Sequence, residues 1–400
     1  MQQQVFRSFE PTVRTLMGPG PSDVHPRVLA AMARPTIGHL DPQFVGMMDE
    51  LKLMLQYAFQ TQNVMTIPVS APGSAGMETC FVNLVEPGDK VIVCINGVFG
   101  GRMKENVERY GGIPVVVEDA WGEPVSIDKV EQAFAAHPDA KMLAFVHAET
   151  STGALSDAAA LCALAHRHDA LAIVDAVTSL AGCPVRVDEW GIDAIYSGSQ
   201  KCLSCTPGLA PVSFSERAVT KTRTRKTKVA SWFLDLNLVM GYWGGAVKRT
   251  YHHTAPINPL YGLHEALVML HQEGLENSWR RHAAQHRALR AGIEAMGLKF
   301  LVREEARLPQ LNSILVPTGV DEAALRQHLL KDYNLEIGAG LGSLAGRVWR
   351  IGLMGYSAKP ANVLYCLSAL EAVLSDVPGA IHKGRGVSAA CAEFERTRGA

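Results

Sequence analysis

The 400-residue sequence lacks an excess of charge of either sign, because 38 lysine and arginine residues balance 39 aspartate and glutamate residues. It therefore has no long-range field that would attract nucleic acid or an anionic membrane, and we expect neither as a partner. It also lacks an uninterrupted apolar run of 18 residues. Its start has no basic segment followed by an apolar one, so neither a membrane span nor a secretory signal is predicted.

Cysteine is scarce, and the eight cysteines are spread mostly through apolar segments. This usage is typical of buried thiols in a reducing compartment, so we expect a cytoplasmic protein without a disulfide framework. Cys202 and Cys205 have a C-x-x-C spacing, but no second pair or histidine cluster completes a zinc set. The adjacent His252 and His253 point in different directions, and no metal site is expected.

The organisation of the chain predicts an α/β fold with two domains. Between Lys90 and Phe214, apolar runs such as KVIVCI, KMLAFV and LAIVDAV alternate with segments of helical spacing, which indicates a mostly parallel sheet buried on both faces. From about residue 280 short strands mix with helices, as in a smaller α+β domain. The predicted division is an N-terminal segment (1–20), a large domain (21–279) and a small C-terminal domain (280–400).

Two residues of complementary chemistry follow predicted strands of the large domain. Asp175 ends the apolar run LAIVD, and Lys201 follows the run IDAIY and a few small residues. Ligands of parallel-sheet enzymes bind outside the carboxyl ends of the strands, where both residues are expected. An amine that forms a Schiff base and a carboxylate that keeps a pyridine nitrogen protonated are what pyridoxal phosphate requires. The alternatives are a surface lysine and an aspartate that caps a turn.

A third signal is the segment SAPGSAGMETC, in which a Pro-Gly-Ser turn opens a helix near Gly73. The free N–H groups and the dipole at a helix start suit a phosphate group. Many helices begin with glycine and serine, so this segment has meaning only together with Asp175 and Lys201.

These residues lie in segments that resemble the class V aminotransferases of pyridoxal phosphate fold type I, specifically the alanine–glyoxylate, serine–pyruvate and serine–glyoxylate group. The resemblance covers nearly the whole chain and implies a fold-type I transferase. It is carried by LMGPGPS (16–22), GSAGMET (73–79), ETSTG (149–153), VDAVTSL (174–180), YSGSQK (196–201), YHHT (251–254) and RIGLMG (350–355).

The resemblance implies that pyridoxal phosphate is the cofactor and that the catalytic residues are Lys201, which forms the Schiff base, and Asp175, which pairs with the pyridine nitrogen. Phe99 would stack on the ring where the animal enzymes carry tryptophan. Val177 would pack on the opposite face, and Thr150 would lie near the phenolic oxygen.

The resemblance also implies a phosphate site formed by two subunits. Gly73, Ser74 and Gln200 would hold the phosphate from one chain, and Ser74 stands where the animal enzymes have histidine. Tyr251 and Thr254 would reach it from the neighbouring chain. A homodimer is therefore the expected functional unit.

Substrate binding is assigned in the same way. Arg350 in RVWRIGL would bind the substrate carboxylate through two parallel hydrogen bonds, and the alternative is a structural salt bridge. His39 would lie near the substrate entrance. A single arginine assigned to carboxylate binding favours small monocarboxylic amino acids.

The expected function is transfer of the amino group of alanine or serine to glyoxylate or pyruvate by a ping-pong mechanism. The segments RKTK and GLENSWR are similar to alanine–glyoxylate enzymes. GCPVRVDEWGID and the tail after Leu374 are similar to ureidoglycine–glyoxylate aminotransferases, so ureidoglycine is the alternative donor. A class V lyase such as cysteine desulfurase is less favoured, because those enzymes carry histidine where Gln200 and Phe99 stand here. A protein without catalytic activity is disfavoured by the intact lysine, aspartate and arginine.

Overall fold

The computed structural model describes residues 6–244 and 249–398. The strands are β1 (Thr15–Leu16), β2 (Met65–Val69), β3 (Lys90–Ile95), β4 (Ile113–Glu118), β5 (Met142–Val146), β6 (Ala148–Glu149), β7 (Ala154–Leu155), β8 (Leu171–Asp175), β9 (Ala194–Tyr196), β10 (Ala210–Phe214), β11 (Leu311–Leu315), β12 (Leu335–Glu336), β13 (Gly338–Ala339) and β14 (Val348–Gly352).

The α-helices begin with proline, or with an aspartate or serine cap, at many of their starts, as helix-capping chemistry predicts. They are α1 (Pro26–Met32), α2 (Pro42–Phe59), α3 (Gly73–Leu84), α4 (Val98–Arg109), α5 (Ile127–Ala136), α6 (Ala158–Arg167), α7 (Val187–Trp190), α8 (Glu216–Arg223), α9 (Leu236–Trp243), α10 (Ile257–Glu273), α11 (Leu275–Ala295), α12 (Glu322–Asp332), α13 (Pro360–Leu374) and α14 (Gly386–Arg398).

The central sheet has seven strands in the order β2-β10-β9-β8-β5-β3-β4. The neighbouring strands from β4 to β9 pair in parallel, and β10 is antiparallel to both β9 and β2. Every residue of β2, β5, β8 and β10 is buried, which explains why these segments are continuous apolar runs rather than alternating ones. The predicted α/β fold with a mostly parallel sheet is confirmed.

The carboxyl ends of the parallel strands lie at one edge of the sheet, so the segments that follow these strands begin at that edge. In the register of β8 with β9, Asp175 lies opposite Tyr196, and the chain then continues to Lys201. Helix α3 follows β2, and helix α4 follows β3, so both helices begin at this edge. The fold therefore brings residues that are distant in sequence to one place.

A second group of elements packs around its own apolar cluster. Strands β11, β14 and β13 form an antiparallel sheet, and Met17, Leu289 and Ile351 are buried in this cluster. Leu275, at the start of α11, belongs instead to the cluster of the large sheet. The predicted boundary at 279/280 thus falls inside α11, and the division into domains stays a prediction.

The N-terminal segment connects the two groups of elements. The Met17 carbonyl oxygen accepts a hydrogen bond from the Gly352 N–H at 2.7 Å, and the Ser22 N–H donates to the Gln200 carbonyl oxygen at 2.9 Å. The segment thus lies between β14 and the loop that contains Lys201. Among the helices that the structure describes, none is both long and apolar enough to cross a membrane.

Candidate active site

Asp175 is the last residue of β8, and its side chain is 2% exposed. One carboxylate oxygen accepts the Val177 N–H at 2.8 Å, and the other accepts the Tyr196 hydroxyl at 2.8 Å. Burial raises the pKa of Asp175 to about 7, although these two hydrogen bonds oppose the shift. A ligand N–H that faced this carboxylate would favour its charged form.

Lys201 is 8% exposed, and its Nζ donates a hydrogen bond to the carbonyl oxygen of Pro19. Burial and, to a smaller extent, the nearby charge of Arg350 lower the pKa of Lys201 to about 8. At pH 7 such a pKa leaves roughly one amine in ten unprotonated, against fewer than about one in a thousand for an ordinary lysine. The surface alternative is wrong, because this lysine is buried.

Arg350 lies in the centre of β14 and is 6% exposed. Its guanidinium donates to the carbonyl oxygens of Ala339 at 2.6 Å and Thr150 at 2.9 Å. Burial lowers the pKa of Arg350 to about 10. No carboxylate of the described residues forms an ion pair with Arg350, so these residues do not support the alternative of a structural salt bridge. A ligand carboxylate would supply the missing charge.

The start of α3 has the features of an anion site. No side chain of the described residues caps the helix, and Ser74 in its first turn is exposed. Gly73 lies against Val177, because a methyl group at Gly73 would be 3.5 Å from the Val177 Cγ2 atom and 3.6 Å from the Gly198 Cα atom. The Gln200 side chain lies against Gly198 in turn, and its buried amide oxygen has no partner among the described residues. Gly73, Ser74 and Gln200, which are predicted to hold the phosphate from one chain, thus lie close together.

The residues predicted to surround the cofactor ring lie beside these groups. Thr150 is buried and forms a hydroxyl–hydroxyl hydrogen bond with Thr178. Val177, which is half-buried, lies two residues after Asp175 in the chain. Phe99 lies in the first turn of α4, and the Arg102 guanidinium lies 4.9 Å from the centre of its ring.

His39 and Tyr251 lie beside each other, and Thr254 follows three residues after Tyr251. The His39 ring is 5.2 Å from the Tyr251 ring, and Tyr251 is 61% exposed. Thr254 is also exposed. Within the described ranges, no hydrogen bond or ring contact joins these three to Lys201 or Arg350. Their contribution to a neighbouring subunit stays a prediction.

Three partners of the predicted site residues had no role in the sequence reasoning. Tyr196 binds Asp175, Pro19 accepts from Lys201, and Glu149 accepts the Phe99 N–H at 3.3 Å. Each belongs to a segment that carries the family resemblance. The motifs therefore contain these three residues, but the sequence does not show which site residue each of them contacts.

This set of groups fits pyridoxal phosphate. The buried Asp175 carboxylate can accept a ring N–H, the buried Lys201 amine can form the covalent link, and the uncapped start of α3, with the NH2 group of the nearby Gln200 as a further donor, can hold the phosphate. The fit rests on the chemistry of the donors and acceptors at this edge of the sheet.

Comparisons with known proteins agree with this chemistry. The family model described as "Aminotransferase class-V" matches residues 22–359. The alanine–glyoxylate aminotransferase of Rattus norvegicus is 41% identical over 367 residues, which are 91% of this chain and 88% of the rat chain.

Two solved structures are also similar. The ureidoglycine–glyoxylate aminotransferase from Bacillus subtilis has a TM-score of 0.94 and 38% identity, over 97% of this chain and 100% of that one. The alanine–glyoxylate aminotransferase from Nostoc sp. has a TM-score of 0.91 and 46% identity, over 93% and 98%. The predicted cofactor and family are confirmed, and the chain belongs to the class-V aminotransferases, pyridoxal phosphate enzymes of fold type I.

Proposed function

We propose that the protein transfers the amino group of a small amino acid, alanine or serine, to glyoxylate or pyruvate by a ping-pong cycle. The observation that carries this proposal is the buried Arg350 guanidinium, which lacks an acidic partner among the described residues and lies close enough to Lys201 to lower its pKa. It is the one arginine among the buried side chains of the described residues. A single such cation suits an amino acid with one carboxylate.

Each residue of the site has a distinct task in this cycle. When bound, pyridoxal phosphate supplies an electron sink for the negative charge that develops at the substrate Cα. The Asp175 carboxylate accepts the ring N–H, and its negative charge keeps that proton in place. The Lys201 Nζ, whose pKa is lowered to about 8, accepts the Cα proton as a general base. The Arg350 guanidinium orients the substrate by its carboxylate.

The second candidate donor is ureidoglycine. The similarity to the Bacillus ureidoglycine–glyoxylate enzyme extends over nearly the whole of both chains. The rat and Nostoc relatives, at 41% and 46% identity, favour alanine as donor and glyoxylate as acceptor. A lyase reaction is less favoured, because the family resemblance implies histidine in the cysteine desulfurases where Gln200 and Phe99 stand here.

We also propose a homodimer in the cytoplasm. The exposed Tyr251 and Thr254 support the dimer, because within the described residues neither is hydrogen-bonded to Lys201 or Arg350. Trp232, which is 64% exposed, lies on the same part of the surface, since it stacks on His252. Such an exposed aromatic patch is typical of an interface. The eight free cysteines, of which all but Cys391 are buried, suit a reducing compartment.

The proposal is tested by a panel of half-reactions. The holoenzyme is mixed separately with alanine, serine, ureidoglycine and cysteine, and the loss of the cofactor's visible absorbance is followed in a stopped-flow instrument. Alanine or serine should bleach the absorbance fastest, and glyoxylate or pyruvate should restore it. Fastest bleaching by ureidoglycine would favour the second donor. Release of sulfide from cysteine without amino transfer would overturn the proposal.

The variant Arg350→Lys should raise KM for the amino acid and for the oxo acid by about tenfold each, because a lysine ammonium cannot form two parallel hydrogen bonds to a carboxylate. Steady-state kinetics measures the effect. Arg303→Lys is the matched control, since Arg303 is half exposed and pairs with Glu123 on the surface. If KM is unchanged in Arg350→Lys, the substrate carboxylate binds elsewhere.

The variant Asp175→Asn should stabilise the apoprotein more at pH 8 than at pH 5. The folded-state pKa of Asp175 is raised from 3.8 to about 7, so the stability that its protonated form contributes is present below pH 4 and is lost as the pH rises through 7. Asparagine does not ionise, so the variant keeps this stability. Its free energy of unfolding should exceed that of the wild type by at most about 4 kcal/mol at pH 8. Thermal melting of both apoproteins at the two pH values measures it, and an equal difference at both would contradict the shift.

A further inference from the structure

We propose that Glu149 is a positioning residue of this active site, whose buried carboxylate fixes Phe99 and, through the turn that it begins, Thr150 and Arg350. This inference rests on the proposed function, because it concerns the roles proposed for those three residues. Glu149 itself is not placed against substrate or cofactor; it acts through its neighbours.

The first observation is the way in which α4 begins. Its N-cap residue is Gly97, which has no side chain to bind the free N–H groups of the first turn. Side chains that follow β5 accept hydrogen bonds from these N–H groups instead. The Glu149 carboxylate accepts the Phe99 N–H at 3.3 Å, and the Ser151 hydroxyl oxygen accepts the Val98 N–H at 3.0 Å. The backbone of Phe99 is therefore held by residues about 50 positions away in the sequence.

The second observation is that both oxygens of the Glu149 carboxylate accept hydrogen bonds. Its Oε1 accepts both the backbone N–H of Ser151 at 2.9 Å and the Ser151 hydroxyl at 2.6 Å, while Oε2 accepts the Phe99 N–H. Both oxygens of Glu149 thus face donors, and its side chain is fully buried. Burial raises the pKa of Glu149, and the bonds from Ser151 and Phe99 oppose that rise. A glutamine would point its NH2 group at a donor on one side or the other.

The third observation is the space around Gly97. A methyl group on its Cα would overlap the Glu149 side chain and the Ser151 hydroxyl. The backbone at Gly97 is extended, so the glycine is explained by this close approach and not by its dihedral angles. The Glu149 carboxylate is packed directly against the residue that precedes α4.

The fourth observation links the same turn to Arg350. The carbonyl oxygen of Thr150 accepts the Arg350 Nη1–H at 2.9 Å, and the negative charge of Glu149 raises the pKa of Arg350 against the larger effect of burial. The Glu149 backbone carbonyl also accepts the Gly153 N–H at 2.7 Å, which closes the turn. One short turn therefore contacts the residues proposed for the ring face, the phenolic oxygen and the substrate carboxylate.

The test uses the holoenzyme of Glu149→Gln and two readouts of geometry. The visible circular dichroism of the bound cofactor, which reports the orientation of its ring, should fall by half or more. The value of kcat with the best donor should fall at least tenfold, and KM for the amino acid should rise because Arg350 shifts with Thr150. All three effects should also occur, more weakly, in Ser151→Ala, which removes one donor and keeps the carboxylate.

The matched control is Asp193→Asn. Asp193 is also a buried carboxylate that accepts a backbone N–H, from Ala172 at 3.0 Å, and side-chain donors, including Ser215 at 2.8 Å. It precedes β9 and so lies at the opposite end of the strands from Lys201. This variant should lower the melting temperature and leave the dichroism, kcat and KM unchanged.

The outcomes separate the two proposals. If Glu149→Gln changes only the melting temperature, as Asp193→Asn does, Glu149 has a purely structural role and the inference is wrong. If Glu149→Gln does not fold, Ser151→Ala decides by the same criteria. If the wild-type enzyme transfers no amino group from any donor, the proposed function fails, whereas the dichroism of the variants still tests the position of the ring.

Discussion

Burial of charged groups without oppositely charged partners is the constraint on which this active site depends. Lys201, Asp175 and Arg350 are each less than 9% exposed, and among the described residues none of them forms an ion pair. Removal of a charge from water costs free energy, which is why the pKa of the lysine is lowered and that of the aspartate is raised. The same cost makes each group ready for a ligand that supplies the missing charge or hydrogen bond.

The fold holds these groups in place with backbone hydrogen bonds rather than with counter-charges. Lys201 donates to the carbonyl oxygen of Pro19, Arg350 to those of Ala339 and Thr150, and Asp175 accepts the Val177 N–H. Carbonyl oxygens orient a cation without neutralising it, so the charge stays available for substrate. The N-terminal segment and β14 thus have a direct part in the site, although both lie far from Lys201 in sequence.

The strand ends were predictable from the sequence, and the contacts across the chain were not. Asp175 and Lys201 could be found because apolar runs of a parallel sheet end at one edge. The apolar run APVSF of β10 does not indicate that this strand is antiparallel to its neighbours. Pro19 lies 182 residues from Lys201, so no local pattern could pair them. His39 and Tyr251 show no contact with the site in the described part of one chain, and a second chain is needed to test their predicted roles.

Peptide mapping of the reduced enzyme tests most directly whether the buried amine of Lys201 holds the cofactor. Borohydride reduction of the holoenzyme makes the link between cofactor and lysine permanent, and mass spectrometry of the digest then locates it. We expect the pyridoxyl mass on Lys201 alone, and its loss in Lys201→Ala. A label on another lysine, such as the half-buried Lys359, or no label in an enzyme that is coloured and active, would show that Lys201 does not hold the cofactor.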